Sequence, residues 1–270
     1  MRAIRVHRHG GPEELRCEEV ERPAPGPGQI LIRVAAAGIN FADLMQRQGT
    51  YPIPSRLPMT PGLEVAGRIE VLGPGVTGLE LGQRVMALTR GGYAEFALAR
   101  GAQAVAIPEG LGDAEATALL VQGATARLLL EEAAPLKGGE RVLVHAASGG
   151  VGGLLVQLAR RMGAGQVIAA AGSAPKREFA LSLGADLAVD GRDAQWVQAV
   201  REATGGRGAD VVFEMVGGVV TAQSLECLAP YGRLVAFGNA SGAPTTVDPV
   251  KLMFRNQSLI GFAITAVLPE

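Results

Sequence analysis

Ala146-Ala147-Ser148-Gly149-Gly150-Val151-Gly152 sits between an apolar run, Arg141-Val142-Leu143-Val144-His145, and a stretch whose apolar residues Leu154, Leu155, Leu158 and Met162 recur at helical spacing. Strand, glycine turn, helix is the order that a phosphate-binding turn requires. Glycines at 149 and 150 let the backbone approach a pyrophosphate, glycine at 152 lets the helix pack against the strand, and the first N–H groups of the helix face the negative charge. A glycine cluster alone also serves as a tight turn in a doubly wound sheet. Its place between a strand and an apolar helical pattern points to a dinucleotide, with Ser148, Gly149, Gly150 and Val151 as candidate binding residues.

Downstream, short apolar runs at 166–171, 187–190, 210–215, 232–238 and 258–263 alternate with helical windows. With the run at 141–146 they predict a six-stranded parallel sheet carrying helices on both faces. Upstream the pattern differs. Strand-like runs at 29–35, 63–72, 84–88 and 93–98 are broken by Gly and Pro, and Pro23-Ala24-Pro25-Gly26-Pro27-Gly28 is a stiff turn. From Leu63 to Val71 the apolar residues fall at every second position, which predicts one buried and one wet face in a barrel or sandwich. One short helix is expected at 39–47. A longer helix, with Asp113 as its N-cap and running to 134, marks the change of pattern. The expected division is a β-rich domain over 1–112 and a nucleotide-binding domain over 113–270.

A ribose with a free 2′-hydroxyl is usually held by an Asp or Glu at the end of the second strand of such a sheet. Here that strand ends Ala169-Ala170-Ala171-Gly172-Ser173-Ala174-Pro175-Lys176-Arg177, with a hydroxyl and two cations and no acid. Positive donors suit a 2′-phosphate, which a carboxylate would repel. The expected cofactor is therefore NADPH rather than NADH, held by Gly172, Ser173, Lys176 and Arg177, although the two cations also read as solvated residues of a first helical turn. Phe237-Gly238-Asn239 follows the fifth strand with small and polar residues, suited to the nicotinamide side of the crevice. Glu214, at the end of the fourth strand, either lines the same cleft or is a buried or capping acid, and it is given no catalytic role.

Basic and acidic residues nearly cancel, 25 against 26, so no charge excess draws the chain to nucleic acid or anionic lipid. A small-molecule substrate fits better. The amino terminus, Met1-Arg2-Ala3-Ile4-Arg5-Val6-His7, lacks the apolar block of a signal peptide, and no window is apolar and long enough for a membrane span, so a cytoplasmic protein is expected. Cys17 and Cys227 are far apart and support neither a disulfide framework nor a cysteine zinc site.

Taken with Gly38-Ile39-Asn40-Phe41-Ala42-Asp43-Leu44-Met45 and Pro61-Gly62-Leu63-Glu64-Val65-Ala66-Gly67, these segments make a chain that resembles the zinc-independent quinone oxidoreductases of the medium-chain dehydrogenase/reductase superfamily, the ζ-crystallin and vesicle amine transport protein branches included. The likeness runs over nearly the whole chain. It implies an α/β protein with a GroES-like domain before a Rossmann domain, substrate entering between them, and assembly as a homodimer or homotetramer through the edge strand at 258–263. Zinc-bearing relatives place a Cys in the segment matching 38–43 and a His where this chain has Leu63; residues 86–95 also lack the cysteines of a structural zinc site. No metal is expected. Without a Lewis acid, hydride addition to a quinone is the expected reaction, with reduction of an alkenal or enoyl C=C bond as the alternative. A low-turnover NADPH-binding protein with a structural or regulatory role is a third reading.

By motif position the resemblance puts Asn40, Asp43 and Tyr51 near the substrate as catalytic candidates, with Asn40, Gln122 and Thr125 lining the cofactor side. Tyr51 is the candidate proton donor or orienter. Asn40 either bonds the ligand or braces its own turn, and Asp43 suits backbone stabilisation better than acid catalysis. Many members carry a Tyr beside the adenosine phosphate after the third strand; here Val189-Asp190-Gly191-Arg192 supplies Gly191, with Arg192 as a substitute. The family also continues past the last strand with a helix and a segment returning to the first domain. A chain that stops at Pro269-Glu270 is expected to lack that return segment and to expose apolar surface on the β domain.

Overall fold

The computed structural model describes residues 1–267. The chain divides into two compact units, Met1–Gln122 and Gly123–Glu270.

In the first unit β1 (Arg2–Arg5) pairs antiparallel with β2 (Arg16–Glu19). Then come β3 (Gln29–Ala37), α1 (Phe41–Gln48), β4 (Glu64–Leu72), β5 (Arg84–Leu88), β6 (Phe96–Arg100) and β7 (Val105–Ala106). The strands after β2 form one antiparallel sheet in the order β6-β3-β4-β5-β7. Val65 and Ile69 of β4 pack with Ile30, Ile32 and Val85 on one face. The expected wet face is not wet at its start, because Ala66 packs on the other side with Met86, Ile107 and Ala116. Ala116 belongs to α2 (Asp113–Ala118), laid over this half of the sheet, and the first exposed residue of β4 is Arg68. A pattern within one strand carries no information about a helix arriving from elsewhere in the chain.

Gly112 rather than Asp113 is the N-cap of α2. Asp113 is instead its first helical residue, and its carboxylate accepts from Arg84 Nη2 of β5 at 2.7 Å. The helix continues, but through two π-helical turns, Leu119–Gly123 and Leu129–Ala133, on either side of α3 (Ala124–Leu128). The division between the units falls inside the first π turn, so α2 is counted with the β-rich unit and not, as a 112/113 boundary has it, with the second.

The second unit alternates β8 (Arg141–His145), α4 (Gly150–Arg161), β9 (Gln166–Ala171), α5 (Ala174–Ser182), β10 (Leu187–Asp190), α6 (Trp196–Ala203), β11 (Ala209–Glu214), α7 (Val219–Glu226), β12 (Leu228–Ala236), α8 (Pro249–Arg255) and β13 (Ser258–Gly261). The six strands are parallel, in the order β10-β9-β8-β11-β12-β13. This is the doubly wound sheet that the alternating pattern predicts. β12 starts earlier than expected and β13 ends at Gly261. Side chains on β8 alternate between two cores: Val142 and Val144 meet Leu155, Val156 and Ala159 of α4, while Leu143 meets Trp196 and Val200 of α6. Each Val or Leu among them, once buried, contributes about 1.5–3 kcal/mol.

His145 closes β8 inside this core. Ser224 of α7 gives its hydroxyl proton to Val220 O at 2.7 Å, which leaves His145 Nε2 as the donor to Ser224 Oγ at 2.9 Å. Burial pulls the imidazole down to about 4, so the ring is neutral.

Candidate active site

Parallel strands bring every turn that follows β8 to β12 to the same carboxyl edge of the sheet. After β8, Gly149 N–H closes the turn onto Ala146 O at 2.8 Å and Gly149 becomes the N-cap of α4. A Cβ on Gly152 would collide with the carbonyl oxygen of Ala146, so the third glycine is what lets α4 lie against the turn. Gly149 has no side chain to cap α4, and the N–H groups of Gly150 and Val151 open the helix toward solvent. The turn has the donor set of an anion cradle.

At the far side of the sheet, the loops after β11 and β12 are bound to each other. Ala240 N–H meets Met215 O at 2.9 Å and Ser241 N–H meets Val216 O at 2.7 Å, while Asn239 Oδ1 accepts from Ser241 Oγ at 3.2 Å. Phe237 N–H donates to Glu214 O at 2.9 Å, and Phe237 lies against the apolar core on the α4 side. Glu214 is fully buried and accepts from the Val216 N–H, the Gly217 N–H at 3.1 Å and Thr221 Oγ1 at 2.5 Å. Its carboxylate is spent on holding this loop, the capping reading of the two the sequence left open.

At the end of β9, Ser173 is the N-cap of α5 without a side-chain cap bond, so its hydroxyl is available. Lys176 is exposed. Arg177 Nη1 is paired with Asp190 Oδ2 of β10 at 2.7 Å.

The first unit holds its own polar cluster, built on the start of α1, the start of β4 and the first π turn. Asn40, the N-cap of α1, gives its backbone N–H to Asp43 Oδ2 at 2.8 Å. Its side chain faces the other way: Nδ2 donates to Glu64 Oε1 at 2.7 Å and Oδ1 accepts from Gln122 Nε2 at 3.3 Å. The second oxygen of Glu64 accepts the backbone N–H of Val121 at 2.8 Å, inside the π turn that carries Gln122. Tyr93 gives its hydroxyl proton to Asp43 Oδ2 at 3.0 Å. Burial pushes the carboxyls of both Asp43 and Glu64 up, and these hydrogen bonds partly offset it. Burial, then the charge of Asp43, also raises the Tyr93 phenol.

The candidates therefore fall into groups. Asn40, Asp43 and Gln122 are joined in one network, with Asp43 bracing the start of α1. Tyr51 stands outside it; its backbone N–H reaches Met45 O at 3.3 Å, and its hydroxyl has no hydrogen-bond partner among the described residues. Thr125 is buried on α3 in the second unit. Glu64 and Tyr93 were not among the sequence-derived candidates. An acid set between Leu63 and Val65 in an apolar strand is the signal that could have found Glu64, since a buried charge needs dedicated partners.

Two family descriptions match the chain: the alcohol dehydrogenase GroES-like domain over residues 26–109 and the zinc-binding dehydrogenase domain over residues 150–269. Fold and site together define a two-domain dinucleotide-dependent oxidoreductase. Within that class, the chain belongs to the zinc-independent quinone oxidoreductase family of the medium-chain dehydrogenase/reductase superfamily. The quinone oxidoreductase of Sus scrofa is 36% identical over 273 residues, all of this chain and 82% of that protein. A 2-haloacrylate reductase from a Burkholderia species is 37% identical over 254 residues, 92% of this chain and 75% of its own length. The structure of Escherichia coli quinone oxidoreductase complexed with NADPH superposes with a TM-score of 0.92 at 34% identity, covering 98% of this chain and 82% of that one.

Proposed function

We infer that the chain is an NADPH:quinone oxidoreductase that transfers hydride without a metal. The observation that carries this reading is the carboxyl edge of the parallel sheet. Gly152 lets α4 lie directly against the turn after β8, so that the first N–H groups of the helix open at that edge, and the end of β9 offers Ser173, Lys176 and Arg177 where an NADH-binding fold has an acid. That donor set fits a dinucleotide carrying a 2′-phosphate. Ser148, Gly149, Gly150 and Val151 would hold its pyrophosphate, Gly172, Ser173, Lys176 and Arg177 its adenosine phosphate, and Phe237, Gly238 and Asn239 its nicotinamide side, joined by Asn40, Gln122 and Thr125.

Bound NADPH supplies the hydride; what the chain must supply is a proton and an oriented acceptor. Tyr51, whose hydroxyl is uncommitted, is assigned the proton. Asn40 orients the substrate from a fixed amide, and Asp43 holds the backbone from which Asn40 projects. Quinone is the first acceptor. The similarity to a 2-haloacrylate reductase favours an activated C=C bond as the second. NADPH consumption followed across a panel of quinones and enones tests both: turnover with quinones supports the reading, and NADPH binding without oxidation by any acceptor overturns it.

Among the described residues no helix is long and apolar enough to cross a membrane, and we assign the protein to the cytoplasm. We further assign it to a homodimer or homotetramer. Among the described residues β13 ends the sheet with one side unpaired, and Met253 and Phe254 of α8 are 62% and 79% exposed. A light-scattering mass equal to a single chain would contradict that assembly.

A further inference from the structure

The end of β9 faces the end of β10, and three charged groups meet there. Asp190 takes Arg177 Nη1 on Oδ2 at 2.7 Å and the backbone N–H of Arg192 on Oδ1 at 3.0 Å. Arg177 also reaches Ala171 O, the last residue of β9, at 3.5 Å. Arg192 lies over Gly172: a Cβ built there would stand 2.6 Å from its Nε and 3.1 Å from its Cζ. Among the described residues the Arg192 guanidinium makes no side-chain hydrogen bond, so its donors are uncommitted. Lys176, by contrast, is exposed on α5 and takes no part in this cluster.

This arrangement inverts the one used for a bare ribose. There, an acid at the end of the second strand takes the 2′-hydroxyl directly. Here the acid sits one strand over, and each of its oxygens already has a partner. Two guanidinium groups at the end of one strand, Arg177 at Ala171 O and Arg192 over Gly172, repel each other and need something to fix them. The one Asp190 carboxylate holds the Arg177 guanidinium and the Arg192 backbone, and two cations against one acid still leave the cluster with a net positive charge. Gly172 is the permissive position, because a larger residue would displace Arg192.

We propose that Asp190 is the positioning residue of a 2′-phosphate clamp formed by Arg177 and Arg192, and thereby sets the preference of this chain for NADPH. The proposal rests on the NADPH reading above. Asp190 touches no cofactor atom itself; it pins the Arg177 side chain beside Ala171 and the Arg192 backbone at the turn from which its guanidinium reaches over Gly172, so that the two cations flank the end of β9. Bidentate donors on a phosphate discriminate strongly when held in place and weakly when free.

The test is calorimetric titration of the full chain with 2′,5′-ADP and, separately, with 5′-AMP, in wild type, Asp190→Asn and Arg192→Ala. Wild type is expected to bind 2′,5′-ADP at least tenfold more tightly than 5′-AMP. Both variants should lose about tenfold in 2′,5′-ADP affinity while 5′-AMP binding and the melting temperature stay unchanged, a selectivity that a general loss of structure would not produce. Unchanged or tighter 2′,5′-ADP binding by Asp190→Asn overturns the positioning role while leaving the NADPH reading intact. A wild type that does not distinguish the two nucleotides overturns both.

Discussion

Asn40 donates its side-chain amide to Glu64 across 2.7 Å at a place where Glu64 is fully buried and Asn40 is 7% exposed. Each oxygen of Glu64 accepts one donor, Asn40 Nδ2 and the Val121 N–H, so the carboxylate fixes α1 to the π turn that bears Gln122. Glu64→Gln keeps the shape and replaces one acceptor by a donor, which must then face a donor. Leaving a buried polar pair mismatched costs about 1–3 kcal/mol. Urea unfolding should show that loss, and quinone turnover should fall as Asn40 loses its fixed amide. A variant as stable and as active as wild type would remove Glu64 from the site.

Tyr51 is expected to matter for chemistry and not for folding. Removing a proton donor costs about 10²-fold or more in turnover. Tyr51→Phe should lower kcat with quinones by that order and leave NADPH affinity and melting temperature unchanged, since the hydroxyl has no partner among the described residues to lose. Full retained turnover would make water the proton source.

Gly152→Ala should damage the nucleotide turn directly. The added Cβ meets a backbone carbonyl, that of Ala146, which cannot rotate away as a side chain would. Forcing such an overlap costs about 1–3 kcal/mol. A lower melting temperature is expected, with NADPH binding, followed by its fluorescence, weakened further than stability alone explains.

Gly172→Asp places an acid at the end of β9 and pushes against Arg192. The carboxylate can take a ribose hydroxyl and repels a 2′-phosphate. The ratio of kcat/KM for NADPH over NADH should fall by about 10²-fold, some 2.7 kcal/mol of discrimination. A ratio that does not move would argue against this edge of the sheet reading the ribose.

Acid should destabilise the protein through His145. The ring is held near 4 when folded and returns to its usual 6.5 when unfolded. Between those values the unfolded chain binds a proton that the folded chain does not, so stability is full above 6.5 and drains away as pH falls toward 4. At about 1.4 kcal/mol per pH unit the loss amounts to about 3.5 kcal/mol. Unfolding free energies measured across this range should fall with acid in wild type, with a shallower slope in His145→Asn.

Much of this was legible in the residues. The strand at Arg141–His145, the glycines at 149–152 and the alternating apolar runs determined a doubly wound parallel sheet, because a strand and a helix each write their period into the chain and a glycine marks where backbones must touch. The missing acid after Ala171 was equally local. What the sequence alone did not determine was which distant groups meet. Glu64 and Tyr93 join Asn40 and Asp43 only because β4, α1 and the π turn converge, and Asp190 finds Arg177 only because β10 lies beside β9. Hydrogen bonds reach about 3 Å through space and respect no spacing along the chain, so the sheet had to be folded before its charged partners could be named.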